Sequence, residues 1–235
     1  MNIFYSRDVV GNTGILDETE SHHCVKVLRL KEGDEVCIVD GKGGFFEGNI
    51  TIAHPRSCII EIKKSLFEFG KRDFEIHIAM APTKNIERFE WFLEKATEIG
   101  IDEITPLLCQ HSERKILRED RLEKVITAAM KQSVKAYHPV LHPMLSFENF
   151  IELEHAGNKH IGHCMEGNRQ ELIKMRPVGK KFTVLIGPEG DFSEKEILKA
   201  CAKEFQPTSL GKSRLRTETA GVAVCQIISD LMALE

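Results

Sequence analysis

The rhythm of the chain changes once, near residue 73, and nothing else in the sequence constrains its fold as strongly. Before that point the sequence reads mostly as strand. Glu35-Val36-Cys37-Ile38-Val39-Asp40 is apolar and β-rich, Gly41-Lys42-Gly43-Gly44 is a turn, and Phe45 to Ile52 and Ser57 to Ile62 continue the alternation. One helix, roughly Glu18 to Leu30, interrupts a pattern that suits a small barrel with hairpin connections. After it, strands and helices alternate. Phe74 to Met80 reads as a strand. Asn85 to Ile99 reads as a helix whose apolar positions Phe89, Phe92, Leu93 and Ala96 share one face, with Gly100 as its stop. Trp91, Phe89 and Phe92 are read together as core. Strands follow at Glu103 to Cys109, His160 to Cys164 and Phe182 to Ile186, and helices at Arg118 to Val134, Ser193 to Glu204 and Thr217 to Leu234. That alternation implies an α/β domain with a largely parallel sheet. The expected division is residues 1–70 and 73–235, with the boundary in the charged stretch Glu68 to Asp73.

Composition narrows the class. At 42% hydrophobic residues, 235 residues can bury a full core. The start, Met1-Asn2-Ile3-Phe4-Tyr5-Ser6-Arg7-Asp8, lacks the basic and apolar run of a signal peptide, and no apolar stretch is long enough to cross a bilayer. Cysteines 24, 37, 58, 109, 164, 201 and 225 are odd in number and contain no Cys-x-x-Cys pair, so neither a disulfide framework nor a metal site is expected. These features point to a cytoplasmic protein without a membrane partner. Lys and Arg total 32 against 36 Asp and Glu, a net charge of −4, so nucleic-acid contact would rely on local basic patches. Two exist: the face holding Arg114, Lys115, Arg118, Arg121, Lys124, Lys131 and Lys135, and the denser set Lys212, Arg214 and Arg216. The first also reads as an ordinary solvated helix face.

Two segments carry chemistry. In Phe182 to Ser193 a buried strand runs into Gly187-Pro188-Glu189-Gly190, and Ser193 with Glu196 has the spacing of a capping box. Ligands of parallel α/β sheets bind beyond the carboxyl ends of strands, and glycines let backbone approach a ligand closely. An ordinary strand-to-helix loop reads equally well. In Leu210-Gly211-Lys212-Ser213-Arg214-Leu215-Arg216-Thr217-Glu218-Thr219-Ala220, a second glycine turn after a short strand (Thr208 to Leu210) leads through a basic loop into the last helix. Thr217 is its expected cap. Glu218 suits a carboxylate at a helix start, and Glu189 suits a turn carboxylate. No Gly-x-Gly-x-x-Gly follows the strand at 74–80, which disfavours a dinucleotide-binding fold.

Together these segments resemble the SPOUT methyltransferases, and more narrowly the bacterial small-subunit ribosomal RNA uridine-N3 methyltransferases. The resemblance extends, in order, through His23-x-x-x-Val27-Leu28-Arg29, Lys95-Ala96-Thr97-Glu98-Ile99-Gly100-Ile101, Ile104-Thr105-Pro106 and Ala128-Ala129-x-x-Gln132-Ser133. Asp191 stands where the family usually repeats glycine. Lys135 stands where arginine is common, which exchanges a planar fork for a point charge.

The resemblance implies a PUA-like β-barrel that binds RNA, followed by a SPOUT domain whose C-terminal segment forms a trefoil knot, in a homodimer. It implies S-adenosylmethionine held by Cys164, Met165, Ile186, Gly187, Pro188, Glu189, Gly190, Leu210, Gly211 and Leu215, with His163 and Glu166 beside them. It implies a uridine of 16S rRNA as substrate, within the assembled small subunit, contacted by Arg29, His23, Arg114, Lys135 and Arg214. N3 of uracil carries an imide proton that must leave before or during attack, so a positioned base would help and cationic donors near the carbonyl oxygens would stabilise the developing anion. Arg216 is assigned the positive charge. Glu218 is assigned the proton, or the orientation of Arg216. The competing readings are a SPOUT enzyme with another target atom and a non-catalytic RNA-binding or assembly factor.

Overall fold

The computed structural model describes residues 2–167 and 169–234. The chain divides into two compact units, Met1–Lys71 with Thr127–His138, and Arg72–Ile126 with Pro139–Glu235.

In the first unit, strands β1 (Ile3–Tyr5), β2 (Asp8–Val10) and β3 (Thr13–Ile15) precede a short helix, α1 (Glu18–His22). Strands β4 (Glu35–Val39), β5 (Phe45–Ile52) and β6 (Ile59–Leu66) follow. They form one six-stranded sheet in the order β1-β4-β5-β6-β3-β2. This is the expected small β unit, its sheet curled into a half-barrel: β1 joins β4 in parallel, and no ladder joins β1 to β2 among the described residues. Side chains alternate across β4: Val36 and Ile38 enter one core with Phe4, Phe46 and Ile60, whereas Cys37 and Val39 enter another with Phe45, Met130 and Ala136.

The helix expected over 18–30 is interrupted. Asp17 caps α1 by accepting from the Glu20 amide. The chain then widens into a π-type turn at His23–Val27, where the Leu28 N–H donates to the His23 carbonyl five residues back at 2.9 Å. Arg29 ends the turn at φ 57°. One extra residue in a turn leaves no mark on a helical apolar pattern.

The second unit opens with β7 (Glu75–Met80), α2 (Ile86–Ile99), β8 (Glu103–Leu108) and α3 (Glu119–Gln132), the last turn of which counts with the first unit. The short elements β9 (Val140–Leu141), β10 (Leu145–Ser146) and α4 (Phe147–Ile151) come next. They are followed by β11 (Asn158–Gly162), β12 (Gln170–Glu171), β13 (Lys181–Ile186), α5 (Glu194–Ala202), β14 (Gln206–Ser209) and α6 (Thr217–Ala233). The sheet order is β10-β8-β7-β13-β11-β14-β12, with β9 beside β8, and every pair in it is parallel. Both faces are covered, as a parallel sheet requires. Ile76, Ile78 and Met80 of β7 and Phe182, Val184 and Ile186 of β13 face a core shared with Phe89 and Phe92 of α2 and Val224 and Ile228 of α6. Ala79 and Leu185 face the opposite core with Phe147, Phe150, Phe192 and Phe205. Each fully buried phenylalanine contributes about 2–3 kcal/mol of transfer free energy. Trp91 departs from the expected core reading. It is 41% exposed, one position round the α2 face from its buried neighbours Phe89 and Phe92. No helix of the described residues is long and apolar enough to cross a membrane.

Candidate active site

Three parallel strands end at one level. Gly162 of β11 stands in register with Ile186 of β13 on one side and Thr208 of β14 on the other. The loops leaving these strands surround a cavity of about 460 Å³, the position that a parallel sheet favours for a ligand. Cys164, Ile186, Gly187, Pro188, Glu189, Leu210, Gly211 and Leu215 line it, together with Arg214 and Arg216. Met165 and Gly190, expected beside the cofactor, do not. Met165 is exposed past the turn at Cys164, and Gly190 lies at the outer bend of its loop beside His111.

The sequence missed several lining residues. Gly162, Thr208 and Ser209 follow from strand register, Arg169 returns from the loop after β11, and Arg88 reaches in from α2. Nothing local in the sequence marks them, because each arrives by tertiary placement.

The first loop is shaped by its own packing. A Cβ at Gly187 would stand 3.0–3.1 Å from the Phe192 ring and backbone nitrogen, so the loop's own packing already disfavours a side chain there. Asp191 holds the left-handed backbone that usually favours glycine, with φ 65°. Its carboxylate accepts from the amides of Cys164 and Phe192, both at 2.8 Å, and so ties two walls of the cavity together. The expected capping box is present: Ser193 and Glu196 exchange side-chain and backbone bonds, and Glu196 also accepts from the Gln110 amide at 2.8 Å.

Glu189 accepts from the Lys84 amide at 2.9 Å, which fits a loop-tying role. Arg114 donates to the Thr83 and Lys84 carbonyls at 3.1 and 2.6 Å, so part of its guanidinium holds the same loop. Arg29 and His23 are exposed in the first unit, His23 edge-on to Phe4, and Lys135 is half-buried in the segment after α3. None of these three lines the cavity.

His163 lines the cavity with both ring nitrogens buried and unpartnered. Burial pushes its pKa down, and Arg169, which donates to the His163 carbonyl, adds to that. The imidazole is therefore neutral, with one donor and one acceptor available.

The last loop is a partition. Arg214, Leu215 and Arg216 line the first cavity and also an adjoining one of about 600 Å³, where they meet Arg88, Trp91 and Glu218. Arg216, not Thr217, is the N-cap of α6, and it makes no side-chain cap bond. Thr217 is the first helical residue and Glu218 the second. Glu218 is 7% exposed, and its Oε2 has no hydrogen-bond partner. Its charged neighbour is Arg88, not Arg216, with Nε 3.9 Å from Oε1. Glu218 lines only the second cavity. The arrangement places a backbone-lined recess against a cationic rim, and behind that rim a compartment lined by Trp91 and Glu218.

Comparison with known proteins gives one family throughout. Residues 71–229 match the model of the RNA methyltransferase domain, and residues 16–63 that of the RNA methyltransferase PUA domain. The ribosomal RNA small subunit methyltransferase E of Synechocystis sp. is 30% identical over 231 residues, covering 93% of this chain and 74% of the relative. The protein of the same name from Aquifex aeolicus is 26% identical, over 98% of this chain and all (100%) of its own. A crystal structure of a probable rRNA-methyltransferase from Porphyromonas gingivalis shares the fold with a TM-score of 0.90 and 39% identity, over 100% of this chain and 99% of that one. The ribosomal RNA small subunit methyltransferase E of Neisseria gonorrhoeae, solved bound to S-adenosyl methionine, gives a TM-score of 0.86 at 26% identity, over 98% of both chains.

Proposed function

The chain belongs to the RNA methyltransferase family, and on that premise we propose that it transfers a methyl group from S-adenosylmethionine to N3 of one uridine in 16S rRNA of the small ribosomal subunit. The observation that carries this reading is the pair of cavities sharing the Arg214–Leu215–Arg216 partition. A two-substrate transfer needs two adjoining compartments with the reacting atoms at their boundary.

The first cavity fits the cofactor. Gly211 has φ 111° and a Cβ there would project into open space, so the recess is bounded by main chain where a side chain would intrude. The orphaned nitrogens of His163 call for a polar ligand group, and Arg169 suits a carboxylate. Bound there, S-adenosylmethionine supplies an electrophilic methyl group on a sulfonium sulfur. Leu210, Gly211 and Leu215 hold it from one side, and Ile186, Gly187 and Pro188 from the other.

The second compartment suits a uracil turned out of the RNA, since a base modified on its pairing edge must leave its stack. The Trp91 indole offers a stacking face. Arg216 stands at the boundary, where its charge stabilises the oxyanion that develops on a uracil carbonyl as N3 loses its proton. The free Oε2 of Glu218 is the group that accepts that proton. Arg88 pairs with the other carboxylate oxygen, its Nε 3.9 Å from Oε1.

RNA docking through the first unit, with Arg29, His23 and Lys135, belongs to the same proposal. So do Arg114 and Arg214 as RNA contacts, the C-terminal knot, the homodimer, the assembled subunit as substrate and a cytoplasmic location. The matching RNA methyltransferase PUA domain supports the docking role.

The test is nucleoside mass spectrometry of small subunits lacking the modification, after incubation with the protein and S-adenosylmethionine. 3-Methyluridine is the expected product. A different methylated nucleoside moves the target atom. No methylation together with no cofactor binding by calorimetry overturns the enzyme reading in favour of an RNA-binding factor.

A further inference from the structure

At the other end of the same parallel sheet, the amino ends of β7, β8 and β13 border a recess of about 390 Å³, and His77, Glu103, His142 and His155 all face it. Strand register places His77 directly beside Glu103. Glu103 in turn pairs with Val140, and His142 follows at once, its own amide donating to the Ile104 carbonyl at 2.8 Å. His77 and Glu103 are thus fixed by paired strands, and His142 by the hydrogen bond that continues the β8–β9 pairing by one step.

Their ligand atoms converge. Nε2 of His142 is 2.6 Å from Oε2 of Glu103, and Nδ1 of His77 is 4.0 Å from that same oxygen. One donor atom from each residue lies within 4.8 Å of the others. Donors around a tetrahedral zinc ion with bonds of about 2.0–2.1 Å stand about 3.3 Å apart. The Glu103–His142 pair must therefore open, and the Glu103–His77 pair close, by about 0.7 Å each, and the His77–His142 pair close by no more than about 1.5 Å, within reach of side-chain rotation. His77 is oriented for ligation from behind. Its Nε2 is 2.8 Å from the Thr105 hydroxyl, and with Nε2–H donating there, Nδ1 presents its lone pair towards Glu103. Such an outer partner accompanies almost every metal-bound histidine.

We propose that His77, Glu103 and His142 form a binding site for a divalent transition cation of zinc-like chemistry, separate from the methyl-transfer site and with a fourth coordination position open to the recess. Two imidazoles with one carboxylate favour zinc, nickel or cobalt over magnesium and calcium, which prefer all-oxygen sets. His155 stands by the open position, stacked on Phe150 at 4.6 Å with its Nε2 2.9 Å from the Phe150 carbonyl. The bound ion would pin the starts of β7 and β8 to the segment after β9, so its effect is on stability and does not depend on the reading of the other site.

The full chain, stripped of metal, is titrated with cobalt(II) and then with zinc. The expected result is one equivalent of cobalt with the intense visible absorption of a tetrahedral site, displaced by zinc, and a melting temperature that zinc raises by several degrees. His142→Ala and Glu103→Gln should each weaken cobalt binding at least about tenfold and abolish the zinc-dependent rise. Both side chains are partly exposed, at 36% and 40%, so both variants should fold, and metal-free melting checks that they do. Cobalt binding without the tetrahedral absorption overturns the site. So does equal binding by wild type and both variants, which would assign the metal to other histidines of the chain.

Discussion

The Nε of Arg88 lies 3.9 Å from Oε1 of Glu218, while Oε2 of the same carboxylate is buried with no hydrogen-bond partner. A buried, unpartnered carboxylate oxygen is costly to maintain, and Glu218 lines the compartment that Arg216 also borders. Glu218→Gln keeps the shape and removes the proton acceptor. It should lower turnover about 100-fold or more. Affinity for S-adenosylmethionine should be unchanged in calorimetry, because Glu218 does not line the cofactor cavity. Unchanged turnover would leave Glu218 a carboxylate that merely favours its helix end.

Arg216 borders both cavities, which places its guanidinium where a ligand in either can meet it. Arg216→Ala is expected to lower kcat by about 100- to 1000-fold, the cost of one donor aimed at a developing oxyanion. Arg216→Lys should restore part of that, since a point charge replaces the fork but not its geometry. Stopped turnover assays beside calorimetry separate this from a binding defect. If both variants lose cofactor affinity in proportion to rate, Arg216 serves binding instead.

Two glycines in the cavity wall should fail differently. At Gly187 a Cβ meets Phe192 at 3.0–3.1 Å, so Gly187→Ala should shift the loop and cost about 1–3 kcal/mol of stability through overpacking. At Gly211 a Cβ meets nothing within 4 Å, but the backbone sits at φ 111°. Gly211→Val should cost about 1–3 kcal/mol in backbone strain and also obstruct the recess, so its loss of cofactor affinity should exceed that of Gly187→Ala. Chemical denaturation and calorimetry on both variants decide the matter. Equal affinity losses would mean that Gly211 does not face the cofactor.

The sequence made legible what is written locally. The cap at Asn85 and the stop at Gly100 bracket α2, alternating positions place β5, and short apolar runs place β7 and β13. The Ser193–Glu196 box lies where its spacing puts it. What depends on distant strands was not legible. Arg88 is an ordinary charged helix position until α6 brings Glu218 to it. Trp91 looks like core beside Phe89 and Phe92 until the packing leaves it 41% exposed. His77, Glu103 and His142 show no ligand spacing because parallel register, and not sequence distance, brings them together. Asp191 shows in the sequence only as a departure from a glycine, and its part in joining two loops through its carboxylate depends on where Cys164 is brought.

His160 gives the fold an acid limit. Its imidazole is buried in β11, with Nδ1 2.9 Å from the Thr208 hydroxyl, and desolvation pushes its pKa from 6.5 down to about 4. The folded pKa lies below the unfolded one, so between these values the unfolded chain binds the extra proton. The stabilisation is complete above about pH 6.5 and is lost progressively as pH falls towards 4. The difference is worth about 3 kcal/mol at most, and His163, also shifted down by burial, acts in the same direction. His160→Gln keeps a polar partner for Thr208 and removes the titration. Urea denaturation at several values from pH 7 to pH 4.5 should show wild-type stability falling more steeply than that of the variant. Equal slopes would mean that His160 takes up its proton without unfolding its surroundings, and that the acid limit lies with other groups.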